Sequence, residues 1–160
     1  MTMPSPYRLH GRRAFTLIEL TMVLVIMGVL AAVLAPRYGD AIARSRVDAA
    51  AERLVAELAL TSSRARAAGE TWTVWMDPST ERIWRTSAAS FVLYNTDIGL
   101  DFGAEPYRTD LSSVNFGGFS RIEFDAFGRP GSDGVVTLRH GQTQRIVTVT
   151  RATGAIEVGP

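Results

Sequence analysis

An α+β fold, with one long N-terminal helix followed by an antiparallel β-sheet domain, is what this sequence predicts. Three observations predict it. Phe15–Ala35 is a mostly apolar run whose only charge is Glu19. From about Asp40 to Ala68, apolar residues recur at helical spacing. From Thr71 onward the apolar spacing becomes two, with turn residues between short runs. The chain of 160 residues suffices for one domain plus an appended segment, and is too short for two full-sized cores.

The apolar run comes first. Its twenty-one residues, at about 1.5 Å each, make a helix of roughly 31 Å, long enough to cross a bilayer core. A carboxylate within it costs about 2.5–3.5 kcal/mol at a helix centre and less near an end, so Glu19 calls for a partner. Arg8, Arg12 and Arg13 precede the run with no acidic residue before them, which places the N-terminus in the cytoplasm and the remainder across the membrane. A secretory signal peptide is one alternative, with Val33-Leu34-Ala35 as a cleavage point. The run is longer than the usual apolar core of about 7–15 residues, and Pro36 directly after Ala35 opposes cleavage there. A plain membrane anchor is a second alternative, and it leaves Glu19 unexplained.

Pro36 lacks an amide hydrogen and clashes with the preceding turn, which predicts a bend or local break. A second helical stretch then runs to Ala68. Val47, Ala51, Leu54, Leu58 and Ala65 make one apolar face, and Gly69 is the stop. Arg46, Arg53 and Arg64 share a flank with Glu57, which reads as a solvated face carrying intrahelical ion pairs.

Trp72, Val74 and Met76 alternate, Asp77-Pro78-Ser79-Thr80 supplies a turn, and Ile83-Trp84 begin a return strand. At least two of the three Trp in this hairpin are expected in the core. About Ser87 to Gly118 is less regular, mixing short strands with a long loop. The last forty residues read as a meander, with strands at Arg121–Asp125, Val135–Arg139, Gln144–Thr150 and Ala155–Val158.

The chemistry is sparse. No cysteine is present, which excludes disulfides, zinc–thiolate sites and cysteine nucleophiles. His140 is the only histidine after the basic segment and sits at a strand-to-turn junction. Asp97, Asp101 and Asp110 lack the dense oxygen-ligand pattern of a calcium loop and read as surface acids. No nucleophile–base order and no Gly-rich phosphate loop emerges, so neither catalysis, a cofactor nor a metal is implied. All seventeen basic residues are Arg, a compositional preference, and from Phe15 onward fourteen Arg face sixteen acids. That balance gives nucleic-acid binding no support.

The segment Gly11-Arg12-Arg13-Ala14-Phe15-Thr16-Leu17-Ile18-Glu19-Leu20 resembles the processing site of type IV prepilins and type II secretion pseudopilins. The match continues through Gly28, Ala31-Ala32, Pro36 and Tyr38. The resemblance implies a leader, residues 1–14, removed between Ala14 and Phe15 by a prepilin peptidase that also N-methylates Phe15. Ala14 stands where the family most often has Gly; a cut after Gly11 would move Glu19 out of place. Glu19 would neutralise the N-terminal amine of an adjacent subunit during assembly. Residues 15–35 would be the membrane and assembly helix, 36–69 an amphipathic periplasmic helix, and 70–160 a β-rich globular domain, in a pilin-like arrangement. Phe124-Asp125-Ala126-Phe127-Gly128-Arg129-Pro130 and Thr153-Gly154-Ala155-Ile156-Glu157-Val158 are similar to the C-terminal domain of GspH/FimT-type minor pseudopilins.

What the resemblance implies is a structural subunit of a type II secretion pseudopilus. It would be anchored in the inner membrane with its domain in the periplasm, and its partners would be the peptidase, other pseudopilins or pilins, and membrane lipid. The alternative is a FimT-type minor pilin acting in pilus biogenesis or DNA uptake, for which Arg139, Arg145 and Arg151 are candidate nucleic-acid contacts.

Overall fold

A computed structural model describes residues 15–88 and 99–160, with the side chains of residues 33–37 left aside. The chain divides into two units at Tyr38/Gly39, and each is considered by itself. Helix α1, Leu17–Ala68, is assigned as one element that includes Pro36. Gly69 takes a left-handed φ of 65°, and the Glu70 amide donates back to the Ala65 carbonyl at 3.3 Å. This is the wrapped C-cap that a glycine without Cβ permits.

The globular unit, Gly39–Pro160, holds two four-stranded antiparallel sheets. Its strands are β1 Trp72–Asp77, β2 Arg82–Ser87, β3 Leu100–Asp101, β4 Asp110–Asn115, β5 Arg121–Phe124, β6 Gly134–His140, β7 Thr143–Val149 and β8 Ile156–Gly159. The first sheet is ordered β3-β2-β1-β5 and the second β4-β6-β7-β8. The expected meander therefore holds only for β6 to β8. Strand β5 leaves it to pair with β1, Trp72 opposite Phe124, while β4 takes the outer place beside β6.

The expected apolar face of the helix is fully buried: Val47, Ala51, Leu54, Leu58 and Ala65 join Ala50 in one cluster with Val74, Ile83, Ile122, Phe124, Val136, Leu138 and Val147. Alternation along each strand sends one set of side chains to this core. Only Trp72 of the three tryptophans packs against it. Trp75 and Trp84 face each other across β1 and β2 on the opposite side of the sheet, with parallel rings 6.4 Å apart. The Arg121 guanidinium lies 5.0 Å from the centroids of both Trp75 and Phe119. Val74 and Met76 occupy the core positions, so the period of two sends Trp75 outward.

The helix flank also differs from expectation. Glu57 is buried: it pairs with Arg53 one turn earlier and, at 3.2 Å, with the buried Arg85 of β2. Around the rim, Arg145 of β7 pairs with Asp48 at 2.7 Å and Arg46 with Glu105 at 3.7 Å. Helix and sheets are thus tied by charge as well as by apolar contact.

At the β1–β2 turn, Asp77 Oδ1 accepts from the Ser79 amide at 2.9 Å and hydroxyl at 2.6 Å, which holds its carboxyl below the usual range. Glu81, at a φ of 57°, accepts a hydrogen bond from the Leu111 amide of β4, joining the hairpin to the second sheet. Burial pushes its carboxyl up, the Leu111 bond opposes this, and Asp110, Asp101 and Asp77 push it further.

Removing Arg85 leaves Glu57 buried without that partner, so Arg85→Met should destabilise the chain by about 3–5 kcal/mol. Arg85→Met combined with Glu57→Leu should recover most of the loss, because the desolvation cost disappears with the charges. Chemical unfolding of wild type, both single variants and the double variant measures the coupling. A second expectation concerns pH. The folded state holds the Glu81 proton more tightly than the unfolded chain, so stability falls as pH rises from the ordinary value of 4.5 through the raised one. Glu81→Gln keeps an acceptor for Leu111 and should remove this component. Equal pH slopes of the unfolding midpoint in the two proteins would refute it.

Candidate functional site

The first turn of α1 is set by Thr16 and Glu19. Thr16 accepts the Glu19 amide on its hydroxyl at 3.2 Å, and its carbonyl accepts the Leu20 amide at 3.2 Å. Thr16 is therefore the N-cap, and Glu19 stands at the third helical position, where the cap-x-x-Glu spacing of a capping box puts a carboxylate. Its charge lies within the first turn, at the positive end of the helix dipole. Thr21 returns its hydroxyl to the Ile18 carbonyl at 2.9 Å, satisfying a polar group in apolar company.

Beyond the cap, apolar side chains lie exposed on every face. Phe15 is 78% exposed, and Leu17, Ile18, Leu24, Val25, Ile26, Val29 and Leu30 are also open. A helix apolar all round is built to be covered by lipid or by other helices. Among the described residues no helix is long and apolar enough to cross a membrane. The described side chains of the run end at Ala32, sixteen residues or about 24 Å from Leu17; Val33, Leu34 and Ala35 continue it in the sequence.

Ala14 lies outside the described residues, as does Asp97. Phe15 precedes the helix, and the helical assignment passes through Pro36. The three candidate arginines of the globular unit are not gathered. Arg139 projects outward from β6 opposite Gln144 and donates to the Gly141 carbonyl at 2.8 Å. Arg145 opposes Leu138 on the other face and pairs with Asp48. Arg151 follows the end of β7. His140 Nδ1 meets the Arg108 carbonyl at the end of β6. Asp101 pairs with Arg82 at 3.5 Å, and no group of three or more His, Asp or Glu able to hold a metal occurs among the described residues.

A different site, missed by sequence reading, is built where the turn after β5 meets α1. Asp125 Oδ1 accepts the amides of Phe127 and Arg129 at 2.9 and 2.8 Å, which folds the turn. Gly128, at a φ of 73°, presses on the helix: Ser62 donates to its carbonyl at 2.7 Å, and an added Cβ would stand 2.7 Å from Arg66 Cγ and from the Ser62 carbonyl oxygen. Beside this contact lies a cavity of about 460 Å³ lined in part by Arg66, Arg129 and Arg151. The available signal was Ser62 and Arg66 one turn apart together with the Gly128-Arg129 dipeptide, but no local rule pairs segments 66 residues apart.

A capped apolar helix leading into an antiparallel two-sheet domain is a pilin-like architecture. Residues 50–154 match the family model described as type II transport protein GspH, and residues 9–35 match the prokaryotic N-terminal methylation motif. The chain belongs to the GspH family, a family of pilin-like structural subunits rather than enzymes. It is 33% identical over 111 residues to fimbrial protein Q of Moraxella bovis, spanning 69% of this chain and 62% of that protein. Its fold is similar to that of the minor pseudopilin EpsH from the type 2 secretion system of Vibrio cholerae, with a TM-score of 0.56, 15% identity, and coverage of 72% of this chain and 96% of that one. It is also similar to the type IV minor pilin FimU of Pseudomonas aeruginosa, with a TM-score of 0.51, 18% identity, and coverage of 73% and 90%.

The region matched by the family model contains both sides of the helix–turn contact. Gly128→Ala should destabilise the protein by about 1–3 kcal/mol beyond the cost of its backbone conformation, because the added methyl meets backbone and side chain together. Gly141→Ala has a comparable φ of 60° and open space around it, so it should cost only the conformational part, about 1–2 kcal/mol. Thermal unfolding of the two variants separates these contributions; equal losses would deny the contact its role.

Proposed function

We propose that this chain is a minor pseudopilin of a type II protein secretion system. Its residues 1–14 are a leader cut away between Ala14 and Phe15 by a prepilin peptidase, which then methylates the new amine on Phe15. The helix from Leu17 enters the inner membrane and later lies among the helices of neighbouring subunits, with Glu19 neutralising the amine of an adjacent subunit. Pro36 bends the helix where it leaves the bilayer, and the globular unit stands in the periplasm, where the assembled pseudopilus assists protein export. One observation carries this reading: an N-terminal methylation motif and a GspH match occur together on one chain.

The capping geometry supports it. At the third position of a capped first turn, Glu19 has its amide satisfied by Thr16 while its carboxylate stays exposed to meet a second chain. A second reading, a FimT-type minor pilin of a type IV pilus, is favoured by the 33% identity to a fimbrial protein. Deleting the gene in its own host and complementing it separates the two: loss of secreted protein supports the first reading, and loss of pili or DNA uptake supports the second.

Mass spectrometry of the processed chain should find methylated Phe15 at the N-terminus; a chain beginning at Arg12 would overturn the assignment. Glu19→Ala should still fractionate with the membrane yet be depleted from cross-linked assemblies by about tenfold, the loss expected for removing one charge-assisted contact. Undiminished assembly would remove Glu19 from its role.

A further inference from the structure

The cavity beside the Gly128 contact combines two properties in one place. Arg66, Arg129 and Arg151 line it together with Ser62, Phe127 and Ile156, and no carboxylate lines it. None of these three arginines makes an ion pair among the described residues. Two acids on the adjoining loops bind main-chain amides. Asp125 holds the amides of Phe127 and Arg129, and Asp133 Oδ1 accepts the Arg151 amide at 2.7 Å. Each acid thus fixes the main chain of an arginine whose guanidinium it leaves unneutralised. The Arg129 guanidinium lies 5.4 Å over the Phe127 ring, and that ring is 70% exposed.

We propose that this cavity receives a carboxylate-bearing peptide segment of a partner protein. Guanidinium groups recognise carboxylates through paired, charge-assisted hydrogen bonds. Phe127 and Ile156 offer apolar surface next to those charges, which suits an acidic segment interleaved with apolar side chains. A volume of about 460 Å³ accommodates a few side chains. The wider charge opposes a polyanion: from Phe15 onward acids outnumber arginines sixteen to fourteen, so attraction is confined to the cavity. The inference concerns the globular unit alone and holds whichever assembly the helix enters.

Fluorescence anisotropy of the full chain in neutral detergent micelles tests it. The probe is a dye-labelled peptide alternating Glu with Leu and Phe. The comparisons are the same peptide with Gln for Glu and a single-stranded DNA of equal charge. The Glu peptide should bind, weaken with added salt, and lose about tenfold in affinity in Arg129→Ala and in Arg151→Ala. Arg139→Ala, on the outer face of the second sheet, should bind like wild type, and all three variants should unfold at the wild-type midpoint. The Gln peptide should bind at least about tenfold more weakly than the Glu peptide. Absence of binding at low salt, equal binding of the two peptides, or insensitivity to both cavity variants would overturn the proposal. So would tighter binding of the DNA that the same variants abolish, since the site would then serve phosphates.

Discussion

The globular unit depends on a single seam, the buried stripe of α1 from Val47 to Ala65 on which both sheets rest. Val47, Ala50, Ala51, Leu54, Leu58 and Ala65 have no exposed surface. Leu54 and Leu58 share one buried cluster with Ile83 and Ile122 of the first sheet and Val136 and Leu138 of the second. The polar contacts follow the same line: Glu57 to Arg85, Asp48 to Arg145, and Ser62 to Gly128. Each joins the helix to a different strand or turn.

Much of this was legible in the sequence, for a physical reason. A stripe of period 3.6 is written locally, and so is the alternation of a strand, so the helix face, its glycine stop and most strand positions can be read directly. Pairing is not local. Nothing near Arg121 says that β5 will leave the meander for β1, because that choice is made by Trp72 and Phe124, residues more than fifty positions apart. Glu57 looked solvated because Arg53 already answered it within the helix; its burial follows from Arg85 on a strand twenty-eight residues later. Trp75 and Trp84 point away from the core because Val74 and Met76 already occupy the inward positions.

The site divides in the same way. Glu19 and its cap lie three residues apart in sequence, so their relation was readable, and its place in the capped first turn gives Glu19 a second role beside meeting a partner charge. The arginines of the domain were not readable. Arg139 and Arg145 sit on opposite faces of one sheet, and Arg151 joins Arg66 and Arg129 across a gap closed only by tertiary packing. An all-arginine chain makes such sites hard to see in sequence, because every cation looks alike. What distinguishes them is which acids have already been taken by main-chain amides.

The cap at Thr16 bears on how the chain can be matured. Because Thr16 caps the helix, Phe15 lies outside it, and the proposed cut immediately before Phe15 leaves the described first turn whole. The amine exposed by that proposed cut would sit one residue ahead of the cap, adding positive charge where the helix dipole is already positive. Under the proposed processing that end would carry an unpaired positive charge, which a carboxylate of another chain would relieve.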